Sequence, residues 1–253
     1  MTDLLNLLEP VRQRHIRTAS FDKNPHRPPS GYVRSEYGIL LRRNWLDATF
    51  HFCKKGSYDL HFADFLRHQA DPFVFVDIGA NQGLYSILAG LNANCEQAIA
   101  FEPVSSTFSL LKANIAINGV EAVVHPVQAA VSLSTGHATI AKKPGHSGAA
   151  SLRQLPRWFR VTETISTLGP EALPALVPAN TGRIIKIDVE GHEKSVLEAL
   201  GHSGLLENTM AVFYEVNPQW SQEGELESIL RQHGFTTFNR TSAKQCHDVL
   251  ATR

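Results

Sequence analysis

FVFVDIGANQG, Phe73 to Gly83, is the stretch whose reading decides the fold. Phe73 to Val76 are β-branched or aromatic throughout and the first charge comes at Asp77, the pattern of a parallel strand buried on both faces. The glycines that follow, Gly79 and Gly83, read as a tight turn. Leu84, Ile87, Leu88 and Leu91 then fall at i, i+3, i+4 and i+7, so the next segment is expected to be a helix with one apolar face. Strand, glycine turn and helix in this order open a nucleotide-binding α/β unit.

The spacing of the glycines discriminates between nucleotides. A dinucleotide site uses G-x-G-x-x-G, whose second and third glycines admit the pyrophosphate and close helix packing. Counting from Gly79, those positions hold Asn81 and Leu84, while a glycine stands at Gly83. The acid-x-Gly-x-x-x-Gly arrangement instead sets the Asp77 carboxylate where the ammonium of S-adenosylmethionine would lie and leaves no phosphate cradle. A cationic cofactor fits better than an anionic one, with Asp77, Gly79, Asn81 and Gly83 as its expected contacts. Glu102 closes a second apolar run, AIAFEP, 25 positions after Asp77. There it is placed to accept both ribose hydroxyls. Taken alone, a glutamate at a strand end is more often a cap or a solvated loop residue; its pairing with DIGANQG favours the ribose.

DIGANQGLYS, then FEP, then IKIDVEGHE and FYEVNP resemble, in that order, the FkbM-type family of class I S-adenosylmethionine-dependent methyltransferases. The resemblance runs from about Tyr37 to about Pro218, and NWLDATFHFCKKGSYD is similar to the pattern that precedes the family's main domain. It implies an α/β, Rossmann-like class I methyltransferase fold: a mostly parallel seven-stranded sheet with an antiparallel terminal hairpin and helices on both faces. It also implies O-methylation, often of a sugar hydroxyl, and places Gln128 and Ala129 at the adenine edge. Asn81 in place of a glycine is what the family shows.

Composition bounds the alternatives. A chain of 253 residues can bury one sizeable core, so one domain with an N-terminal extension is expected. Lys plus Arg and Asp plus Glu balance at 24 each, so the net charge gives no nucleic-acid footprint and nucleic-acid methylation is the less expected branch. Cys53, Cys95 and Cys246 lack metal-ligand spacing and are odd in number, which suits reduced packing thiols in a cytoplasm. The leucines near the start are interrupted by Asp3, Asn6 and Glu9, and no run approaches the roughly 20 apolar residues of a spanning helix. No two of the twelve histidines stand at His-x-x-x-His spacing.

Three stretches are expected: an N-terminal helix and proline-rich arm at 1–31, a capping region at 32–72 and the main domain at 73–253. Leu4, Leu7, Leu8 and Val11 mark a helix packed on the domain edge or on another subunit, which leaves a homodimer open. YGILL and ATFHF read as two short strands of a hairpin over the cofactor pocket, and Tyr58 to His68 as a helix with Phe62, Phe65 and Leu66 inward. After FEP a helix is expected with Ser105 or Ser106 as N-cap, Phe108, Leu111 and Ile115 on one face, and a stop at Asn118-Gly119. Val123 to Ser132 reads as the third strand. Lys142 to Arg160 has no clear period and carries Trp158-Phe159; an acceptor-binding lid and an ordinary hairpin both remain open. RIIKIDVEG and MAVFYEVNP supply the fourth and fifth strands, each followed by a helix, and FTTFNR with DVLATR the closing strand pair.

Ligands of open α/β sheets sit beyond the carboxyl ends of the strands, so Asp188, Glu190, His192, Glu215 and Asn217 are expected to converge with Asp77 and Glu102. Asp188 is the candidate for placing a methyl acceptor, His192 for taking its proton near neutral pH, and Glu190 for a supporting or capping role. Asp188, Glu190 and Glu215 would also suit Mg²⁺. Either of the first two can instead cap the helix after Gly191, and the reading without a metal is preferred. The acceptor is expected to be a small molecule or glycan. A nucleotide-binding oxidoreductase is the rival, opposed by the missing G-x-G-x-x-G; a non-catalytic module retaining the fold is the other.

Overall fold

The computed structural model of the chain describes residues 28–152, 161–179, 181–241 and 245–253. A short antiparallel hairpin, β1 (Tyr32–Arg34) and β2 (Leu40–Arg42), leads to helices α1 (Ala48–Lys54) and α2 (Leu60–Arg67). β3 (Phe73–Ile78), α3 (Leu84–Leu91), β4 (Cys95–Phe101), α4 (Ser105–Ile117) and β5 (Val124–Val127) build one half of the main sheet. A second sheet follows, made of β6 (Ala130–Val131), β7 (Gly136–Lys143), β8 (His146–Ser151) and β9 (Val161–Leu168). The chain then returns through β10 (Arg183–Ile187), α5 (Glu193–His202), β11 (Thr209–Val216), α6 (Glu223–Gln232), β12 (Thr237–Arg240) and β13 (His247–Thr252).

The main sheet has seven strands in the order β12-β13-β11-β10-β3-β4-β5. All its pairings are parallel except those of β13 with β11 and β12. β3 and β10 are neighbours at the centre, and the chain leaves β3 on one side and returns to β10 on the other. The crevice beyond their carboxyl ends is the topological switch point, where this architecture binds ligands. Successive side chains of β3 point to opposite faces. Phe73 and Phe75 enter one core with Phe62, Ile87 and Leu111, and Val74, Val76 and Ile78 enter the other with Val196, Leu200 and Leu226. The Phe62 ring lies flat on Phe213, with centroids 3.9 Å apart.

Several expectations are corrected. ATFHF is not a strand but α1: Asp47 caps it by accepting from Phe50 N, and Thr49, Phe50 and Cys53 are buried at helical spacing. The hairpin forms earlier and lies on α4, not over the pocket; the Asn118 side chain pairs with both backbone groups of Leu40, and Asn114 Oδ1 accepts from Arg42 N. Val123 to Ser132 is not one strand, because β5 ends at Val127 and the chain crosses to the second sheet at Ala130. Neither Ser105 nor Ser106 caps α4. Val104 holds that position, and the Ser105 N–H and hydroxyl both donate to Glu163 Oε1 on β9. The described part of 142–160 is the β7–β8 hairpin, while Trp158-Phe159 and the leucine-rich start at Leu4 to Val11 lie outside the described residues. Cys53 and Cys95 are buried, but Cys246 is exposed. Among the described residues no helix is long and apolar enough to cross a membrane.

Candidate active site

Parallel register places Asp77 of β3 beside Lys186 of β10. Both are buried, and Lys186 Nζ stands 3.3 Å from Asp77 Oδ1 and 3.7 Å from Asp188 Oδ2. The ammonium also donates to Gly79 O at 2.7 Å, and Asp77 Oδ2 accepts from Ser86 Oγ at 2.6 Å. Burial works against the Lys186 charge, but Asp77 and then Asp188 outweigh it and hold its pKa above the ordinary lysine value.

Gly79 has φ +81° and a Cβ there would stand 1.9 Å from Asp188 O, so the turn crosses the end of β10 in a space only glycine fits. Asn81 follows in the left-handed region at φ 50°. Its N–H donates to Glu102 Oε2 at 3.1 Å, while Glu102 Oε1 accepts from Val104 N at 2.9 Å. Burial pushes Glu102 up to about 7, against the pull of those two N–H groups. Gly83, at φ 88°, opens α3, and a Cβ there would meet Leu111 Cδ1 at 2.5 Å.

Beyond these strand ends lies a cleft of about 1060 Å³, counted to its open mouth. Gly79, Asn81, Glu102, Ala129, Asp188, Glu190 and His192 all line it, as Glu215 and Lys186 do. Asp77, Gly83 and Gln128 do not. Asp77, the residue expected beside a ligand ammonium, lies behind the lining: its carboxylate is 1% exposed and faces Lys186 and Ser86. Gly83 serves the helix start, and the exposed Gln128 donates through Nε2 to Ser105 Oγ at 2.9 Å. Asn217 is also outside the lining, its Oδ1 accepting from Gln219 N.

Glu190 sits at φ 51°, and its backbone oxygen accepts from Ser151 Oγ of β8 at 2.7 Å, tying the second sheet to the site. Burial, then the charges of Asp188 and Glu215, push the Glu190 carboxyl up to about 8. Burial and Asp188 raise Glu215 to about 7, against a thiol bond from Cys246 at 3.1 Å. His192 occupies the N-cap position of α5 without capping it; its Nε2 lies 3.1 Å from Ser132 Oγ. Burial lowers its pKa, so the ring is neutral at pH 7. The capping role foreseen for Asp188 or Glu190 belongs to Glu193, whose Oε1 accepts from Val189 N and Gly191 N. Among the described residues no group of three His, Cys, Asp or Glu side chains is arranged to hold a metal ion.

Lys186 and Asp47 are among the residues missed from the sequence. Lys186 interrupts an otherwise apolar strand, and a buried lysine requires an acid on a neighbouring strand; that reasoning leads to Asp77. Asp47, two residues before Thr49 of α1, carries an N-cap signal that the β-branched and aromatic residues of ATFHF concealed. The cleft suits a ligand with a cationic centre. Asp188, Glu190 and Glu215 face Lys186, the one ammonium among the described lining residues, and a neutral His192.

Residues 77–237 match a family model described as the methyltransferase FkbM domain. Methyltransferase sdnD of Sordaria araneosa is 27% identical over 139 residues, covering 55% of this chain and 52% of that protein. The match thus spans about half the length of that relative. Among solved structures, precorrin-6y C5,15-methyltransferase from Geobacter metallireducens aligns over 76% of this chain and 87% of that one, at 14% identity and a TM-score of 0.45. The N-terminal domain of human METTL16 in complex with SAH aligns over 76% of this chain and 67% of that one, at 16% identity and a TM-score of 0.43.

Proposed function

This chain belongs to the methyltransferase FkbM domain family, and from that premise we propose that it moves a methyl group from S-adenosylmethionine to a hydroxyl oxygen of a sugar, glycolipid or polysaccharide precursor. The observation that carries this reading is the acidic wall of the cleft, where Asp188, Glu190 and Glu215 meet beyond the ends of β10 and β11. Such a wall favours a cation and opposes the pyrophosphate of a dinucleotide. The balance of charged residues, 24 of each sign, supports a glycan or small-molecule acceptor over a nucleic acid.

When bound, the cofactor supplies an electrophilic methyl group on a sulfonium. Asn81 and Glu102 hold the ribose side of the cleft, the backbone at Gly79 admits the ligand closely, and Ala129 lies at the adenine edge. The Asp188 carboxylate, 38% exposed and kept near Lys186, orients the acceptor O–H. Holding that oxygen in line with the methyl group supplies up to about 7 to 11 kcal/mol of the barrier. Neutral His192 takes the proton as the C–O bond forms, an effect worth roughly 10² to 10⁴ in rate. Burial and then Asp188 hold the Glu190 carboxyl at about 8, so it carries its proton at neutral pH while the cleft is empty, and a cation beside it favours its ionised form.

Titration calorimetry tests the cofactor. S-adenosylhomocysteine should bind and NAD should not, and Glu102→Ala should lose about 1.5 to 3 kcal/mol, or roughly ten- to a hundred-fold in affinity. Micromolar binding of NAD without binding of S-adenosylhomocysteine would end this reading. A transfer screen over nucleotide sugars and glycolipids then identifies the acceptor.

A further inference from the structure

A second cavity, of about 720 Å³ counted to its open mouth, lies between the start of α4, the β7–β8 hairpin and the segment before α1. Val104, His146, Ser147 and Ala150 line both this cavity and the cleft, so the two share a wall. The cavities differ in sign. The cleft sets Glu102, Asp188, Glu190 and Glu215 against Lys186, whereas the second cavity sets Lys142 and Lys143 against Asp47 among its described lining residues. Asp47 is buried, and its carboxylate already accepts from Phe50 N, Gln82 Nε2, Ser147 Oγ and Ser147 N, which holds the hairpin in place. Lys142 Nζ is committed to Glu163 Oε2 at 2.7 Å, but the exposed Lys143 ammonium has no partner among the described residues.

The polar groups around the cavity are also without partners. Thr107 is 3% exposed, a depth at which a hydroxyl is normally hydrogen-bonded, yet its hydroxyl has no partner among the described residues. It is not among the polar atoms sealed from solvent, and Thr107 lines this cavity, so the hydroxyl is open to it. Asn44 and Ser106 line the cavity too, their side chains likewise without a partner among the described residues. The 13-residue α4 adds its N-terminus, which has no side-chain cap and no acid in the first turn. The first N–H groups of a helix lack an intrahelical acceptor and carry the positive end of its dipole. That of Ser105 is taken by Glu163 Oε1, and those of Ser106 and Thr107 follow it along the cavity.

We propose that this cavity binds a phosphoryl group carried by the methyl acceptor, a sugar phosphate or nucleotide sugar whose reacting hydroxyl lies in the adjoining cleft. An ammonium, two hydroxyls, an amide and the start of a helix together suit an anion with several oxygens. One unpaired ammonium suits a single mono- or diphosphate; the backbone of a nucleic acid needs a track of cations. The cavity stands on the residues above, and its assignment to the acceptor rests on the reading that the chain transfers a methyl group.

Calorimetry with inorganic pyrophosphate tests the cavity, with S-adenosylhomocysteine as the control for the cleft. Wild-type protein should bind both at once, neither displacing the other. Lys143→Glu, at an exposed position, should weaken pyrophosphate about ten-fold or more, and Thr107→Val about three-fold or more, with S-adenosylhomocysteine unchanged within about two-fold. Thermal unfolding establishes that each variant is folded, and Lys143→Glu alone suffices. No binding of pyrophosphate at about 10 mM, its displacement of S-adenosylhomocysteine, or an affinity untouched by Lys143→Glu would overturn the inference and leave the cofactor reading standing. So would tighter binding of a single-stranded oligonucleotide than of pyrophosphate at the same salt concentration, or an acceptor found to carry no phosphoryl group. Protein that binds pyrophosphate but not S-adenosylhomocysteine would instead overturn the cofactor reading, and with it the assignment of the cavity to a methyl acceptor.

Discussion

Lys186→Met isolates the electrostatic centre of the site. The substitution keeps an unbranched chain of similar length on β10 but removes the ammonium that faces Asp77 at 3.3 Å. Asp77 is 1% exposed, so its carboxylate cannot turn to water and is left buried with only Ser86. Stranding one partner of a buried ion pair typically costs about 3 to 5 kcal/mol. For a chain of this size that lowers the thermal midpoint by roughly 6 to 20 °C. Replacing both partners should recover most of the loss, because an apolar pair of similar volume is about as stable as a buried ion pair. Lys186→Met with Asp77→Leu should therefore unfold in urea well above the single variant. It should nevertheless bind S-adenosylhomocysteine poorly, since Gly79 O has lost its donor at 2.7 Å and Asp188 its neighbouring cation. A single variant within about 1 kcal/mol of wild type would refute the pairing argument. So would a double variant no more stable than the single one.

His192→Ala should keep its affinity for S-adenosylhomocysteine and lose most of its turnover once the acceptor is known; unchanged kcat from pH 6 to 9 would make the histidine structural. Stability should fall as the solution becomes alkaline. Glu102 and Glu215 at about 7, and Glu190 and Asp248 at about 8, all bind their protons more tightly than in the unfolded chain. The native state therefore holds extra protons above about pH 4.5, and the stability these groups add is complete below that value and is lost as pH rises through 7 to 8. Thermal midpoints read across pH 5 to 9 should decline, and Glu190→Gln should flatten the decline.

The main sheet was legible because its strands are buried on both faces and announce themselves as apolar runs. Phe73 to Ile78 and Arg183 to Ile187 need no partner to be recognised. The second sheet was not legible. β7 and β9 are half exposed, with polar residues at half or more of their positions, and β8 is HSGAAS, whose mostly small side chains carry no β signal. ATFHF misled for the opposite reason: its residues favour strands individually, and the capping bond from Asp47 with burial of Thr49, Phe50 and Cys53 overrode them. Most of the cleft was foreseen because strand ends and turn glycines are sequence features. The contributions of Thr49, His146 and Ser147 depend on contacts across about a hundred residues, which no local pattern carries.

The acid of DIGANQG shows how a motif can be located from spacing while its partner is set by the fold. Spacing located Asp77 at the end of the central strand, and there it stands. Its partner was fixed by the register of the next strand, which sets Lys186 opposite it and not a ligand. A carboxylate and an ammonium that share a buried site largely cancel, so the pair adds little net charge at the floor of the cleft. The field that a bound cation meets is then set by the carboxyls of the wall, Asp188, Glu190 and Glu215, the last two of which are pushed to about 8 and about 7 by burial and then by Asp188. A cation arriving among them favours their ionised forms, so uptake of a sulfonium ligand at neutral pH is expected to release protons, which calorimetry in buffers of different ionisation enthalpy reads. The floor positions the turn through Gly79 O, and the wall discriminates by charge.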